Sequence, residues 1–192
     1  KFCKEATKES VLDFKPDFVI NATGANPLKP KSIIGIDKPN VSSATDVLQG
    51  KSYIGNEIAI IGAGLVGAET AVVLAQKGKK VTLIEMANKV LPEPVFIQNA
   101  MMLNALLKHP NITVKTSTKL VSIEDKSITL DCNGNIENIN CDNVVLAMGF
   151  KPNIDLYNEL KDLVPIANIG DSVSARKVLD AIHESYEAVA AI

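Results

Sequence analysis

Four residues of this 192-residue chain have the types and spacing to hold a dinucleotide: Gly62, Gly64, Gly67 and Glu85. The glycines form a G-x-G-x-x-G within EIAIIGAGLVGAETAVVLAQKGKKVTLIE (57–85), and Glu85 follows the last of them by 18 residues. In a strand–turn–helix–strand unit that binds a dinucleotide each has a physical job; the alternative is a Gly-rich turn in an α/β domain with no ligand. The first glycine permits the tight turn, the second lets backbone approach a pyrophosphate, and the third lets helix and strand pack closely. The helix N-terminus faces the phosphates with free N–H groups and the positive end of its dipole. Leu65 and Val66, at that helix start, would line the pyrophosphate site with the glycines. A carboxylate at the end of the second strand accepts from both ribose hydroxyls and repels a 2′-phosphate. Glu85 is followed by Met86, Ala87 and Asn88, with Lys89 the only nearby cation, so NADH is favoured over NADPH.

The elements that must position these residues follow from periodicity. Ala68, Ala71, Val72 and Ala75 recur at helical spacing, and their small size permits close docking on a sheet; Gly78 stops that helix. After Glu85 comes a loop with Pro92 and Pro94. A second helix carries Phe96, Ala100, Leu103 and Leu107 and is halted by Pro110. Residues 112–115 read as a short strand. Segments 119–124, 127–132 and 136–140 alternate between turn signals at Asp125-Lys126 and Asn133-Gly134, which predicts an antiparallel meander. Residues 143–147 (NVVLA) are a buried strand ending at Met148-Gly149.

Upstream, Thr7 is placed to cap a short helix through Phe14, and 17–21 (DFVIN) is a strand that stops at Ala22-Thr23-Gly24. Residues 25–40, with three prolines, read as a loop; 43–48 could form a turn or two of helix, and 51–56 a linker. Downstream, 155–163 is expected to be helical and 165–169 a strand ended by Gly170-Asp171. A final helix over 173–192 would put Val178, Ile182, Tyr186 and Val189 on one face.

Composition excludes several classes. A net charge of −2 supplies neither a phosphate-backbone footprint nor a polybasic membrane surface. With 4% aromatics and no Trp, base-stacking platforms are not expected. No apolar run has the length of a membrane span, and no signal-peptide pattern opens the chain. Cys3, Cys132 and Cys141 contain no C-x-x-C and no cluster spacing, which fits a reducing, cytoplasmic setting. His109 and His183 lack a partner at metal spacing, and no nucleophile–base constellation is legible, so no catalytic or metal-binding side chain is expected. The chain opens on Lys rather than Met and is expected to be a fragment.

A local echo links two segments. VINATGANP (19–27) and VVLAMGFKPN (144–153) share a strand, a small-x-Gly end and a proline three residues after the glycine. The order ATGANP, GAGLVGAE, LAMGFKPN and IGD plus helix resembles the two-dinucleotide-binding-domain flavoproteins. The phrases NATGANPLKP, SATDVLQGK, AQKGKKVTLIEM and IGDSVSARKVLDAIHESYEA resemble more closely the C-terminal half of the old-yellow-enzyme-related iron–sulfur flavoenzymes. That group includes 2-enoate reductases, 2,4-dienoyl-CoA reductases, bile-acid-converting NADH:flavin oxidoreductases and trimethylamine dehydrogenase.

The resemblance implies an α/β fold: a Rossmann-like three-layer NAD(P)-binding domain with an antiparallel β-meander, inserted into an incomplete FAD-binding domain. Residues 1–50 and 148–192 would be the partial FAD domain and 51–147 the NAD(H) domain. It implies FAD in the complete protein, and an FMN-bearing barrel and iron–sulfur cluster outside this chain. The remainder of the FAD domain would be its partner. The expected chemistry is hydride transfer from NADH to FAD, for reduction of an activated carbon–carbon double bond in a small molecule. The same superfamily leaves open a disulfide- or rubredoxin-type reductase, or a structural module that holds ADP or a dinucleotide without turnover. Residue by residue, Ala22, Thr23 and Gly24 would approach the flavin nucleotide, or simply end a strand. Glu69 would face the nicotinamide end, or compensate the helix dipole from the first turn. Met148 and Gly149 would lie by the nicotinamide ribose, or form a plain crossover. Gly170 and Asp171 would meet the flavin's ribityl or phosphate region, with Asp171 otherwise a helix N-cap.

Overall fold

The computed structural model describes residues 3–92 and 95–192; Pro94, assigned above to a loop, lies outside the described residues. In chain order the first half holds α1 (Lys8–Asp13), β1 (Val19–Asn21), β2 (Ala25–Pro27), β3 (Val41–Ser43), α2 (Ala44–Leu48), β4 (Glu57–Ile61), α3 (Leu65–Gln76), β5 (Lys80–Ile84) and α4 (Ile97–Leu106). The second half holds β6 (Ile112–Lys115), β7 (Thr118–Ile123), β8 (Ser127–Cys132), β9 (Asn135–Asn140), β10 (Asn143–Leu146), β11 (Phe150–Pro152), α5 (Asp155–Leu160), β12 (Ile166–Asn168) and α6 (Val178–Ala190). These elements form two compact units. The inner one is Pro27–Gly149; the outer one joins the residues up to Asn26 with Phe150–Ile192.

The inner unit is built on a five-stranded sheet in the order β3-β10-β4-β5-β6, every pairing parallel. Alternation along its strands explains why three layers form. Ile58 and Ile60 of β4, Val81 and Leu83 of β5 and Val145 of β10 point to one face, where they bury Ala68, Ala71, Val72, Leu74 and Ala75 of α3 with Leu103 of α4. Ala59, Ile61, Ile84, Val144 and Leu146 point to the other face, onto Leu120, Ile123, Ile128 and Leu130 of the antiparallel β7-β8-β9 meander. Burying each of the large aliphatics contributes roughly 1.5–3 kcal/mol, so the sheet's two covered faces dominate the unit's stability. The small-residue face read from the sequence on α3 is the face that docks.

The sheet's opposite edge is tied by Asp142. Its Oδ2 accepts the N–H groups of Asn56 (2.8 Å) and Glu57 (3.0 Å), and Lys126 pairs with Oδ1 at 3.2 Å. Those backbone donors first, and Lys126 after them, hold the carboxyl down to about 2. The segment 51–56 has no regular structure, yet this contact pins it across the start of β4 and β10.

In the outer unit β1 and β12 make a two-stranded parallel sheet, Val19↔Ile166 to Asn21↔Asn168. Thr7 caps α1 as expected, in a reciprocal box with Ser10. Three expectations change. The inner unit takes in 27–50, read above as part of the flanking domain, because β3 pairs with β10 at Val41↔Val144 and completes the sheet. The proline-rich loop 25–40 contains a strand at its start: β2 pairs with β11. The last helix starts at Val178 rather than Val173: a 3-10 turn covers Gly170–Ser172, and residues 174–177 run on without regular structure, the Arg176 N–H folded back onto Asp171. Its apolar stripe is exposed: Val178 is 76% accessible, Ile182 58%, Tyr186 76% and Val189 59%. Among the described residues no helix is long and apolar enough to cross a membrane.

Candidate functional site

β4 is flanked on both sides by parallel strands, so its C-terminal end opens on the edge of the sheet where ligands bind in doubly wound folds. The glycine turn sits there, and the three glycines are not equivalent. Gly62 has φ +101°, and a Cβ on it would come within 2.4 Å of the Ala147 carbonyl oxygen. A Cβ on Gly67 would fall 1.9 Å from the Gly62 carbonyl oxygen and 3.1 Å from the Ala147 Cβ. Both are forced by close packing of β4, α3 and the end of β10. Gly64 meets nothing within 4 Å and is the N-cap of α3, so open space lies over the turn. The first turn of α3 carries no acidic residue of its own, so the positive end of its dipole faces the open turn. Leu65 is largely exposed and Val66 half-buried at this end, beside the open glycine. The arrangement suits an anion held by backbone N–H groups.

Glu85 directly follows β5, one strand away. Its Oε2 accepts the Ala63 N–H at 2.7 Å and its Oε1 the Ala87 N–H at 2.8 Å. Two backbone amides therefore fix the half-buried carboxylate beside the glycine turn, and each oxygen keeps lone-pair capacity for a ribose hydroxyl. The sequence pattern gave no sign of these two donors, because backbone amides leave no mark on residue type. Glu69 lies in the second turn of α3 and is exposed, so first-turn dipole compensation does not describe it. Met148 and Gly149 follow β10, with Gly149 at φ +94° and its carbonyl accepting the Leu28 N–H at 2.9 Å.

In the outer unit the ends of β1 and β12 lie side by side, the Ile169 N–H donating to the Asn21 carbonyl at 3.0 Å; Ala22, Thr23 and Gly24 follow the first end, and Gly170 and Asp171 the second. Thr23 Oγ1 donates to the Asn153 carbonyl at 2.6 Å, and Gly24 has φ +72°. Asp171 is not the N-cap of α6. It sits in the 3-10 turn, exposed, with Oδ1 accepting the Arg176 N–H at 3.2 Å. The Gly170 N–H is committed to Glu184 of α6 at 2.7 Å, and Arg176 also pairs with Glu184. Sequence reasoning missed the polar cluster beneath. Asn21 Nδ2 donates to Asn168 Oδ1 at 2.6 Å, and Asn168 Nδ2 donates to the Ser172 carbonyl at 2.9 Å. Small polar residues at the last position of two adjacent strands were the available signal.

The remaining chemistry-bearing side chains stay apart from these sites. Cys141 is buried two residues before β10, and burial first, then the Asp142 carboxylate, pushes its thiol up to about 11; it is no thiolate nucleophile. His109 Nδ1 accepts the Asn111 N–H at 3.1 Å and shapes a turn, while His183 is exposed on α6. Among the described residues no group of three or more His, Cys, Asp or Glu could hold a metal ion.

Comparison with known proteins agrees with this geometry. Residues 1–170 match the family model described as pyridine nucleotide-disulphide oxidoreductase. The cinnamate reductase of Clostridium sporogenes is 40% identical over 185 residues, covering 95% of this chain and 27% of that protein. An NADH oxidase of Thermoanaerobacter brockii is 34% identical over 192 residues, covering 95% of this chain and 29% of that protein. Among solved structures, a 2-naphthoyl-CoA reductase in complex with 2-naphthoyl-CoA superposes with a TM-score of 0.88 at 32% identity, over 97% of this chain and 28% of that one. The chain thus spans under a third of the length of these relatives.

Proposed function

Because the chain belongs to the pyridine nucleotide-disulphide oxidoreductase family, we propose that it is the NADH-binding module, with part of an FAD domain, of a longer flavin-dependent reductase. One observation carries this reading: the open glycine turn at the end of β4, with the N-terminus of α3 on it and an amide-fixed carboxylate beside it. When bound, NADH supplies a hydride and FAD accepts it. The residues of this chain bind and orient. Gly62, Gly64, Leu65, Val66 and Gly67 would hold the pyrophosphate, Glu85 the adenosine ribose, and Met148 and Gly149 the nicotinamide ribose; Glu69 would face the nicotinamide end. Ala22, Thr23, Gly24, Gly170 and Asp171 would supply one side of an FAD site. The inner unit is then the NAD(H) domain and the outer unit the partial FAD domain.

The relatives named cinnamate reductase and 2-naphthoyl-CoA reductase support an activated carbon–carbon double bond as the parent's substrate, as in a 2-enoate or dienoyl-CoA. FMN and an iron–sulfur cluster, implied by the resemblance, would belong to the rest of the longer protein. Three free cysteines fit a cytoplasmic setting.

Stopped-flow mixing of NADH with the longer protein tests the activity: flavin bleaching is expected, and binding without bleaching would replace the enzyme by a structural nucleotide module. Glu85→Ser tests the cofactor. NADH affinity is expected to fall about tenfold, with a smaller change for NADPH, because only the diol uses that carboxylate; equal losses would sink the assignment.

A further inference from the structure

α4 is built differently from the other two long helices, α3 and α6. α6 carries Asp180, Glu184 and Glu187 opposite its apolar stripe, so only one side of it asks for cover. α3 is apolar almost all round, and most of its residues are buried, as such a helix requires. From Val95 to Leu107, across the whole of α4, the sequence has no charged residue. At about 100° per residue, Gln98, Asn99 and Asn104 fall on three different sides, so no polar face forms. Asn104 Nδ2 is moreover turned back onto the Ala100 carbonyl at 2.7 Å. The pattern is that of a covered helix, yet among the described residues only Leu103 of α4 is buried.

The open part is continuous. Ile97 and Met101 lie one turn apart, as do Met102 and Leu106 on the adjoining row, and they are 69%, 69%, 57% and 38% accessible. Side chains exposed to that degree amount to roughly 400 Å² of contiguous apolar surface, a size that marks contact sites. The same magnitude selects the occupant. A stable contact between separate molecules buries about 800 Å² on each partner, twice what this face presents. Contacts between domains of one chain bury about 600–1,500 Å² in total, or roughly 300–750 Å² a side, which it meets. Tethering supplies the rest, because a linked domain is present at an effective concentration of about millimolar. The relatives are long enough to hold such a domain, since this chain spans only 27% of the cinnamate reductase and 29% of the NADH oxidase.

We propose that the Ile97–Met101–Met102–Leu106 face of α4 is an interdomain contact, covered by an uncharged apolar surface from the part of the longer chain outside these 192 residues. The inference rests on the reading of a longer protein given above, and it adds a contact on the inner unit to the FAD-domain partner of the outer one. Methionine side chains adapt to an irregular partner surface, and closure of a charge-free face leaves no carboxylate or ammonium buried and unpaired.

Peroxide footprinting of the longer protein, read by peptide mass spectrometry, tests the contact. Oxidation of Met101 and Met102 is expected to be slowed about tenfold or more relative to the urea-unfolded chain, and to stay slow on dilution. Rates within about twofold of the unfolded chain would mean an open face and overturn the proposal. Protection lost on dilution would make the occupant a second copy, and overturn it too. Met101→Lys puts a charge into the contact and should raise Met102 oxidation about fivefold, while Met101→Leu leaves it protected; a folded Met101→Lys protein with Met102 still protected would also count against it. Flavin bleaching by NADH, measured on the same wild-type preparation, keeps the readings apart. Bleaching with open methionines sinks only the contact, and protected methionines without bleaching sink only the reductase.

Discussion

Among the described residues two parallel sheets occur, and they differ in what covers them. The five-stranded sheet of the inner unit has helices on one face and a meander on the other, and its central strands are almost wholly inaccessible. Among the described residues the two-stranded β1-β12 sheet is less covered: its strands are mostly half-buried, Ile20 and Phe14 are exposed, and so is the apolar stripe of α6. Parallel sheets are normally buried on both faces, and two strands alone are marginal. Both sheets end in the same small-x-Gly phrase, so the phrase marks a chain reversal at a strand end. The G-x-G-x-x-G turn at the end of β4 differs from both in the rigid frame beneath it. The glycine turn there is held by backbone oxygens at distances that exclude a Cβ, whereas at Gly24 and Gly149 a Cβ would meet nothing within 4 Å.

The largest effect should come from that frame. Gly67→Ala places a Cβ against the Gly62 carbonyl, and overpacking of this kind is expected to cost about 3 kcal/mol or more in urea unfolding, with loss of NADH binding. Gly64→Ala should cost less than about 1 kcal/mol, because the position is open and only its capping preference changes. It should still weaken NADH, since the new methyl occupies the space over the turn. If the two substitutions destabilise equally, the position at Gly67 is no tighter than the open one at Gly64 and the contrast fails.

A smaller effect separates the two carboxylates that accept backbone N–H groups, one in each unit. Asp142 ties the start of β4 to that of β10, and Glu184 ties α6 to Gly170. Both carboxyls are held below the ordinary range: Asp142 chiefly by the Glu57 and Asn56 amides, Glu184 chiefly by Arg176 and then by the Gly170 amide. The sign follows from linkage. A lowered folded-state value contributes stability that is present above the unfolded value, about 3.9 for Asp, and is lost as pH falls through the folded value. Asp142→Ala should therefore lower the Tm of the inner unit at neutral pH, and the gap from wild type should close as pH drops toward about 2. Glu184→Ala should leave that transition in place and disturb only signals from α6. A loss of the inner transition in Glu184→Ala would show that the units melt as one.

How much of this was legible follows from range. The G-x-G-x-x-G and the α3 face are local, and each residue there is dictated by sterics within a few positions of it. The meander was legible because Asn133-Gly134 and Asp125-Lys126 punctuate alternating runs. β3 was not legible, since three residues merge directly into α2 and their partner strand is about a hundred residues downstream. The start of α6 was misplaced because no breaker separates Val173 from Val178; the 3-10 turn is held instead by the Arg176 N–H on Asp171.

The smallest expected effect bears on the helices. Val178, Ile182, Tyr186 and Val189 repeat at the spacing that buries a helix face elsewhere, and on α3 the corresponding residues are buried. Periodicity tells which residues share a face, while only packing tells whether anything covers it. Ile182→Gln keeps helix propensity and removes an exposed apolar group, so unfolding stability should change by less than about 0.5 kcal/mol. Val72→Gln on α3 places a carboxamide in a covered face and should cost about 2–4 kcal/mol. Urea titration of the two variants side by side reads the difference directly. A cost at Ile182 equal to that at Val72 would mean that the α6 stripe is covered in solution, which makes the outer sheet closed like the inner one and removes the distinction between a framed turn and an unframed one.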